Sequence, residues 1–148
     1  MWQQQSLQVD TPGRGFNNLT QQVARVVAEA NVATGLCHVF LRHTSAGLCI
    51  TENADPEVLR DLERFAQRLS PDGDPLFRHD QEGPDDMPAH VRNLFSGCEL
   101  TVPIRNGHLA LGTWQGIFLW EHRHAPHRRE VIVTLHGERE TTLEPGAA

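Results

Sequence analysis

The residues best suited to chemistry lie between positions 79 and 90, reading His-Asp-Gln-Glu-Gly-Pro-Asp-Asp-Met-Pro-Ala-His. Two imidazoles bracket four carboxylates, a Gly-Pro turn sits between them, and no apolar side chain comes before Met87. Such a segment supplies no core, so it is either a solvated acidic loop or a site. Its second half reads as a helix start: Asp86 is available to cap orphan amides, and Pro88 falls in the first turn, where no donor is needed. His90 then lies on the same helical face as Asp86. Neutral imidazoles and carboxylates are ligands for divalent ions. Glu82, Asp85 and Asp86 suit a hard ion such as magnesium, whereas His43, His79 and His90 suit a borderline one such as zinc.

Other candidates depend on the elements that carry them. Residues 36–43 read as a strand in which Cys37, Val39 and Leu41 share a face, and His43 closes that face. Thr44 and Ser45 follow and offer hydroxyls to a phosphate oxygen; the alternative is a buried histidine satisfied by its own turn. The Thr44-Ser45-Ala46-Gly47 turn predicts a hairpin into residues 48–53. In residues 113–122, Gln115, Ile117, Leu119 and Glu121 share one face, and Trp114, Phe118 and Trp120 the other. Apolar residues on both faces predict a central strand. Glu121, at its end, needs an arginine, a metal or solvent as partner. The basic turn beyond holds Arg128 and Arg129, which either grip phosphate as forks or form a solvated face. His122, His124 and His127 read as surface residues of that turn.

The remaining elements are scaffold. Residues 2–9 alternate as a first strand, and Leu19, Val23, Val26, Val27 and Ala30 recur at helical spacing, with Asn18 or Thr20 as cap. Asp55-Pro56 opens a second helix whose apolar stripe is Val58, Leu59, Leu62, Phe65, Ala66 and Leu69. Asn106-Gly107 between residues 99–104 and 108–111 predicts a hairpin, and residues 131–136 form a last strand. Residues 139–148 are expected to be a flexible tail.

Composition narrows the function classes. A chain of 148 residues with 39% hydrophobic and 22% charged residues is expected to form one globular domain. Its net charge of −6 argues against a nucleic-acid partner. No window approaches a membrane span, and the N-terminus has neither a basic start nor an apolar run, so a cytoplasmic protein is expected. Cys37, Cys49 and Cys98 have no Cys-x-x-Cys spacing and read as free thiols. All 13 basic residues are arginine, which excludes a Schiff-base lysine and a P-loop lysine, and no tyrosine is present to act as a general acid.

With these segments in place, the chain resembles the YjbQ family, described as secondary thiamine-phosphate synthases. The resemblance runs from about Gly15 to Glu138. It is carried by His43-Thr44-Ser45-Ala46, Glu52-Asn53 with Asp55-Pro56, His79-Asp80, Glu82-Gly83, Asp85-Asp86-Met87-Pro88 with His90, and Gly112-Thr113-Trp114-Gln115-Gly116 leading to Glu121. The chain departs from the family pattern at Trp120 and His136. The resemblance implies an α+β fold, an antiparallel, sandwich-like sheet assembly with two longer helices and one short one. It further implies a homotrimer and a divalent-metal site near the histidines. The implied reaction joins hydroxymethylpyrimidine diphosphate to thiazole phosphate with release of pyrophosphate. Expected site residues are His43, Thr44, Ser45, His79, Glu82, Asp86, His90, Gln115 and Glu121, with Arg128 and Arg129 on the phosphates of a small phosphorylated substrate. A metal-dependent hydrolase of a phosphate ester or amide and a non-catalytic metal- or ligand-binding trimer are the alternative functions.

Overall fold

Alternating apolar residues build two antiparallel sheets in the computed structural model, which describes residues 1–140. The elements in chain order are β1 (Trp2–Thr11), β2 (Gly15–Asn18), α1 (Thr20–Ala30), β3 (Val32–Leu41), β4 (Ala46–Glu52), α2 (Pro56–Leu69), α3 (Asp86–Ser96), β5 (Glu99–Arg105), β6 (His108–Leu109), β7 (Gln115–Glu121) and β8 (His127–Arg139). One sheet has the order β1-β8-β3-β5-β6 and the other β2-β7-β4. Their inner faces meet with α1 in one core that includes Cys37, Val39, Leu41, Leu48, Ile117, Leu119, Val131, Val133 and Leu135, together with Val23, Val26 and Val27 of the helix. The fold is the expected α+β arrangement of curled antiparallel sheets. No helix among the described residues is long and apolar enough to cross a membrane.

Local chemistry explains most boundaries. The Asn18 side chain accepts from the Thr20 amide at 3.0 Å, and Asn31 ends α1 in the left-handed region at φ 54°. Asp55 caps α2 by accepting from the Glu57 amide at 2.9 Å, ahead of Pro56. Asn106 and Gly107 take φ of 53° and 80°, as a tight hairpin between β5 and β6 requires. β7 is the middle strand of its sheet, with β2 and β4 on either side.

Three expectations need correction, and one strand went unforeseen. β3 and β4 form no hairpin: β3 pairs with β5 and β8, whereas β4 pairs with β7, so residues 42–45 carry the chain from one sheet to the other. The four-residue β2 was not visible in the sequence because it is too short for any periodicity. The basic turn is shorter than read, since His127, Arg128 and Arg129 already belong to β8. Arg139 closes β8 and the Glu140 amide donates to the Asn31 carbonyl at 3.0 Å, so the expected tail does not begin there. The rest of that tail lies outside the described residues.

β3 and β8 cross closely at Gly35 and Gly137, which face each other in the ladder. A Cβ on Gly137 would lie 2.6 Å from the Gly35 Cα and overlap the Thr34 carbonyl. Backbone on a central strand cannot give way cheaply. Gly137→Ala should therefore destabilise the protein by about 1–3 kcal/mol in urea unfolding, the usual cost of overpacking. A change within about 0.5 kcal/mol, the ordinary scatter of surface substitutions, would contradict this packing.

Candidate functional site

His79, Asp86 and His90 meet at the start of α3. The Asp86 carboxylate is 2% exposed, and its two oxygens face different partners. Oδ2 lies 2.6 Å from His79 Nε2 and 3.2 Å from His90 Nε2. Oδ1 accepts from Arg123 Nη1 at 2.7 Å. Helical geometry delivers His90 one turn after Asp86, and the irregular segment before α3 folds His79 back over it. One correction concerns the cap: Asp85, not Asp86, occupies the N-cap position, without a side-chain capping bond. Its carboxylate instead accepts from Arg123 Nε at 3.0 Å and from the His124 amide at 2.9 Å.

The tautomer of His90 follows from its other nitrogen. Nδ1 lies 2.9 Å from the Thr44 carbonyl, which can only accept, so Nδ1 carries a proton. In a neutral ring Nε2 then presents its lone pair to the carboxylate oxygen of Asp86. Two lone pairs facing each other repel, and either a proton or a cation between them removes the repulsion. A ligating histidine whose second nitrogen donates to a backbone carbonyl is the usual orientation at metal sites. One ligand atom from each of the three side chains lies within 4.8 Å of the other two. A tetrahedral ion with bonds of about 2.0–2.2 Å needs its ligands roughly 3.4 Å apart. Asp86 Oδ2 sits closer than that to both imidazole nitrogens, so a divalent ion fits this donor set once His79 draws back by a little under about 1 Å, and three protein ligands leave a position open. Clefts flank the cluster: one of about 390 Å³ beside His79, and one of about 240 Å³ along His90 and Thr44.

Behind the cluster lies a buried ionic seam. Glu121 is fully buried; Oε1 accepts from Thr11 Oγ1 at 2.7 Å and Arg129 Nε at 2.8 Å, and Oε2 accepts from Arg129 Nη2 and the Arg123 amide. Burial pushes its pKa up, but the bonds from Arg129, Thr11 and the Arg123 amide outweigh this and hold it below the ordinary value. Asp85 and Asp86 are also held low: burial opposes, and the His124 amide and Arg123 prevail at Asp85, while His79 and Arg123 prevail at Asp86. Arg123 joins the two regions, its amide on Glu121, its guanidinium on Asp85, Asp86 and the Glu82 carbonyl.

The expected site residues therefore divide. His79, Asp86 and His90 converge, and Thr44 takes part through its carbonyl and not its hydroxyl. Glu82 contributes its backbone carbonyl to Arg123 at 2.8 Å. His43 stands apart from the cluster: its Nε2 accepts from the Glu130 amide at 2.8 Å, and burial with the nearby Arg129 charge lowers its pKa. Ser45 is buried against Arg129, and Glu121 is saturated by its partners, so both act as structural ties. Arg129 is 3% exposed and bound to Glu121, while Arg128 points outward beside Asp10. Neither faces the cluster. Gln115 starts β7, at the opposite end from Glu121, where its side chain accepts from the Gly112 amide. They are the two ends of a seven-residue strand and lie about 20 Å apart.

Sequence reasoning missed Arg123 and His122. His122 is no surface residue: it is fully buried, its Nε2 lies 3.0 Å from Ser96 Oγ, and burial with the charges of Arg92, Arg14 and Arg129 lowers its pKa to about 2. The two-sided burial of β7, extended by one residue, was the available signal. Cys37 and Cys49 are packing residues, as read, with pKa values raised by burial to about 12 and about 11.

The curled antiparallel sheets with three helices are those of a YjbQ-like α+β protein. A family model described as "UPF0047 protein YjbQ-like" matches residues 5–138. The UPF0047 protein sll1880 of Synechocystis is 52% identical over 135 residues, covering 91% of this chain and 92% of the relative. The UPF0047 protein YjbQ of Escherichia coli O157:H7 is 43% identical over 139 residues, covering 93% and 100%. The crystal structure of the hypothetical protein APE1520 from Aeropyrum pernix K1 superposes with a TM-score of 0.84 at 29% identity, covering 92% of this chain and 99% of that one. The chain belongs to the YjbQ/UPF0047 family.

The buried seam sets an acid limit. Folded His122 refuses a proton that the unfolded chain accepts below its ordinary value of 6.5. Its contribution is complete above that pH and declines on acidification, by up to about 1.4 kcal/mol per pH unit. Glu121 adds a further loss as the pH falls through its depressed pKa. Urea midpoints measured from pH 7 to 5 should fall for the wild type and flatten for His122→Gln. Equal slopes for the two proteins would contradict a buried neutral His122.

Proposed function

We propose that the protein is a metal-dependent enzyme acting on a small substrate at His79, Asp86 and His90. The supporting observation is the three-ligand arrangement in which the Thr44 carbonyl fixes His90 with its Nε2 lone pair toward Asp86. A divalent ion held there supplies Lewis acidity to a phosphoryl oxygen or an activated water. Zinc or a similar ion suits two imidazoles and one carboxylate better than magnesium, which prefers oxygen ligands. Arg123 keeps Asp86 ionised and aimed, and the flanking clefts receive the substrate.

The finer reading, taken from the family resemblance, is a synthase that joins hydroxymethylpyrimidine diphosphate to thiazole phosphate and releases pyrophosphate. One observation favours hydrolysis of a phosphate ester or amide as a second reading. Arg129 and Arg128, the expected holders of a departing pyrophosphate, are bound to Glu121 and to Asp10. Hydrolysis of a single ester asks for less charge neutralisation than departure of a diphosphate. The active unit we propose is a cytoplasmic homotrimer with sites near its subunit boundaries. Its support is an outer face of the larger sheet on which Trp2, Leu36 and Phe40 are 72%, 51% and 38% exposed.

Metal-loaded protein should bind one ion per chain, His79→Ala and His90→Ala should lose it while staying folded, and His43→Ala should retain it. Both substrates together should give thiamine phosphate and equimolar pyrophosphate under the synthase reading, whereas one phosphate ester alone should release phosphate under the hydrolase reading. Turnover that survives chelation would exclude both, and no turnover by a stoichiometrically loaded protein would leave the non-catalytic binding function. Light scattering should give three times the 16.6 kDa chain mass; a monomer would remove the trimer.

A further inference from the structure

On the side of α3 that carries His90, two clefts adjoin. The one of about 240 Å³ along His90 shares Thr44 and Asn93 with a second of about 360 Å³, which is lined by Arg42 and His43. Among the described residues neither wall contains Asp or Glu, and Arg42 supplies the one permanent charge. The cleft beside His79 has the opposite character: Asp74 and Asp80 line it, and no arginine does. The cluster therefore lies between an acidic cleft and one whose charge favours anions.

His43 presents a fixed donor to the 360 Å³ cleft. Its Nε2 accepts from the Glu130 amide at 2.8 Å, and an amide N–H can only donate, so Nε2 keeps its lone pair and the neutral ring carries its proton on Nδ1. That N–H has no hydrogen-bond partner among the described residues, yet it is not one of their buried unpartnered atoms, which are confined to Arg92 and His122. Nδ1 therefore reaches open space, on a residue that lines the cleft. Protonating the ring would set a second N–H against the Glu130 amide, and burial with the Arg129 charge opposes it too. A neutral imidazole held in this way is an electrophilic donor to a polarised oxygen. Arg42 gives Nη1 to Glu130 Oε2 at 2.9 Å and has further N–H groups for a ligand.

We propose that the cleft at His43 and Arg42 binds the oxyanion of the substrate, the terminal group of a phosphate ester or of a carboxylic acid, and turns the rest of the molecule toward His90. This rests on the reading of the flanking clefts as substrate clefts, but the oxyanion contact itself needs no ion. It gives His43 a task other than holding metal, and it supplies the anion contact that Arg128 and Arg129, bound to Asp10 and Glu121, do not.

The test uses the metal-free, ¹⁵N-labelled full chain and reads the ring nitrogens of His43. In the free protein the proton should be found on Nδ1. Methyl phosphate should shift that nitrogen saturably and bind about tenfold or more tightly than neutral trimethyl phosphate, the usual advantage of a charged acceptor. Acetate in the same titration separates the two sources, since the tighter of the two anions names the group. Arg42→Gln, a change at a half-exposed side chain, should weaken that anion about tenfold and leave the His43 proton on Nδ1. A proton on Nε2, a neutral ester that binds as tightly as either anion, no saturable shift from either anion, or unweakened binding by Arg42→Gln would each overturn the proposal. Zinc titration of the same sample, read at His79 and His90, reports on the metal cluster separately, so the failure of one reading is distinguishable from the failure of the other.

Discussion

The contact on which the site depends is the one between the Arg123 guanidinium and Asp86 Oδ1. By occupying one oxygen, Arg123 leaves Oδ2 as the atom that both His79 and His90 face. It also ties Asp85 and the Glu82 carbonyl to the same group, fixing the irregular segment before α3 against the end of β7. A carboxylate on a surface loop would rotate freely and hold nothing in place. Here it is nearly inaccessible, ionised and aimed, with the His79 and His90 imidazoles at its open side.

Arg123 is itself held from inside the protein. Its amide donates to Glu121, whose carboxylate is buried between Thr11 and Arg129. Buried ion pairs seldom add much net stability, but removing one partner leaves a stranded charge. The seam thus confers geometry more than stability: it ties the end of β7 in one sheet to the start of β8 in the other, and through them fixes the position of Arg123. Glu121, Ser45 and Arg129 matter to the site through this chain of contacts without touching it.

How much of this was legible in the sequence depends on whether a signal is local. The helix at Val23, Val26 and Val27, the strand at Cys37, Val39 and Leu41, the Asp55-Pro56 cap and the Asn106-Gly107 turn all rest on neighbours within a few residues, and all were readable. The false hairpin after Leu41 was not, because β4 takes its partner from β7, more than sixty residues on, and periodicity carries no record of which strands pair. The cluster itself was half legible: His79, Asp86 and His90 stand close in sequence, and the last two are one helical turn apart. His43 and Arg129 looked equally suited by type, yet a backbone amide and a buried glutamate use them. Arg123 was hidden in a run of histidines and arginines that reads as solvated, since a sequence shows charge but not which charges are covered.

The central claim is that Arg123 makes Asp86 a ligand-competent carboxylate between two imidazoles. The most direct measurement is the affinity of Arg123→Gln for cobalt(II) or zinc, compared with the wild type at equal fold content by circular dichroism. Removing a partner that orients a ligand typically costs about 10–100-fold in metal affinity, so a loss in that range with one site per chain retained is the predicted result. Unchanged affinity in a folded Arg123→Gln protein would contradict the account.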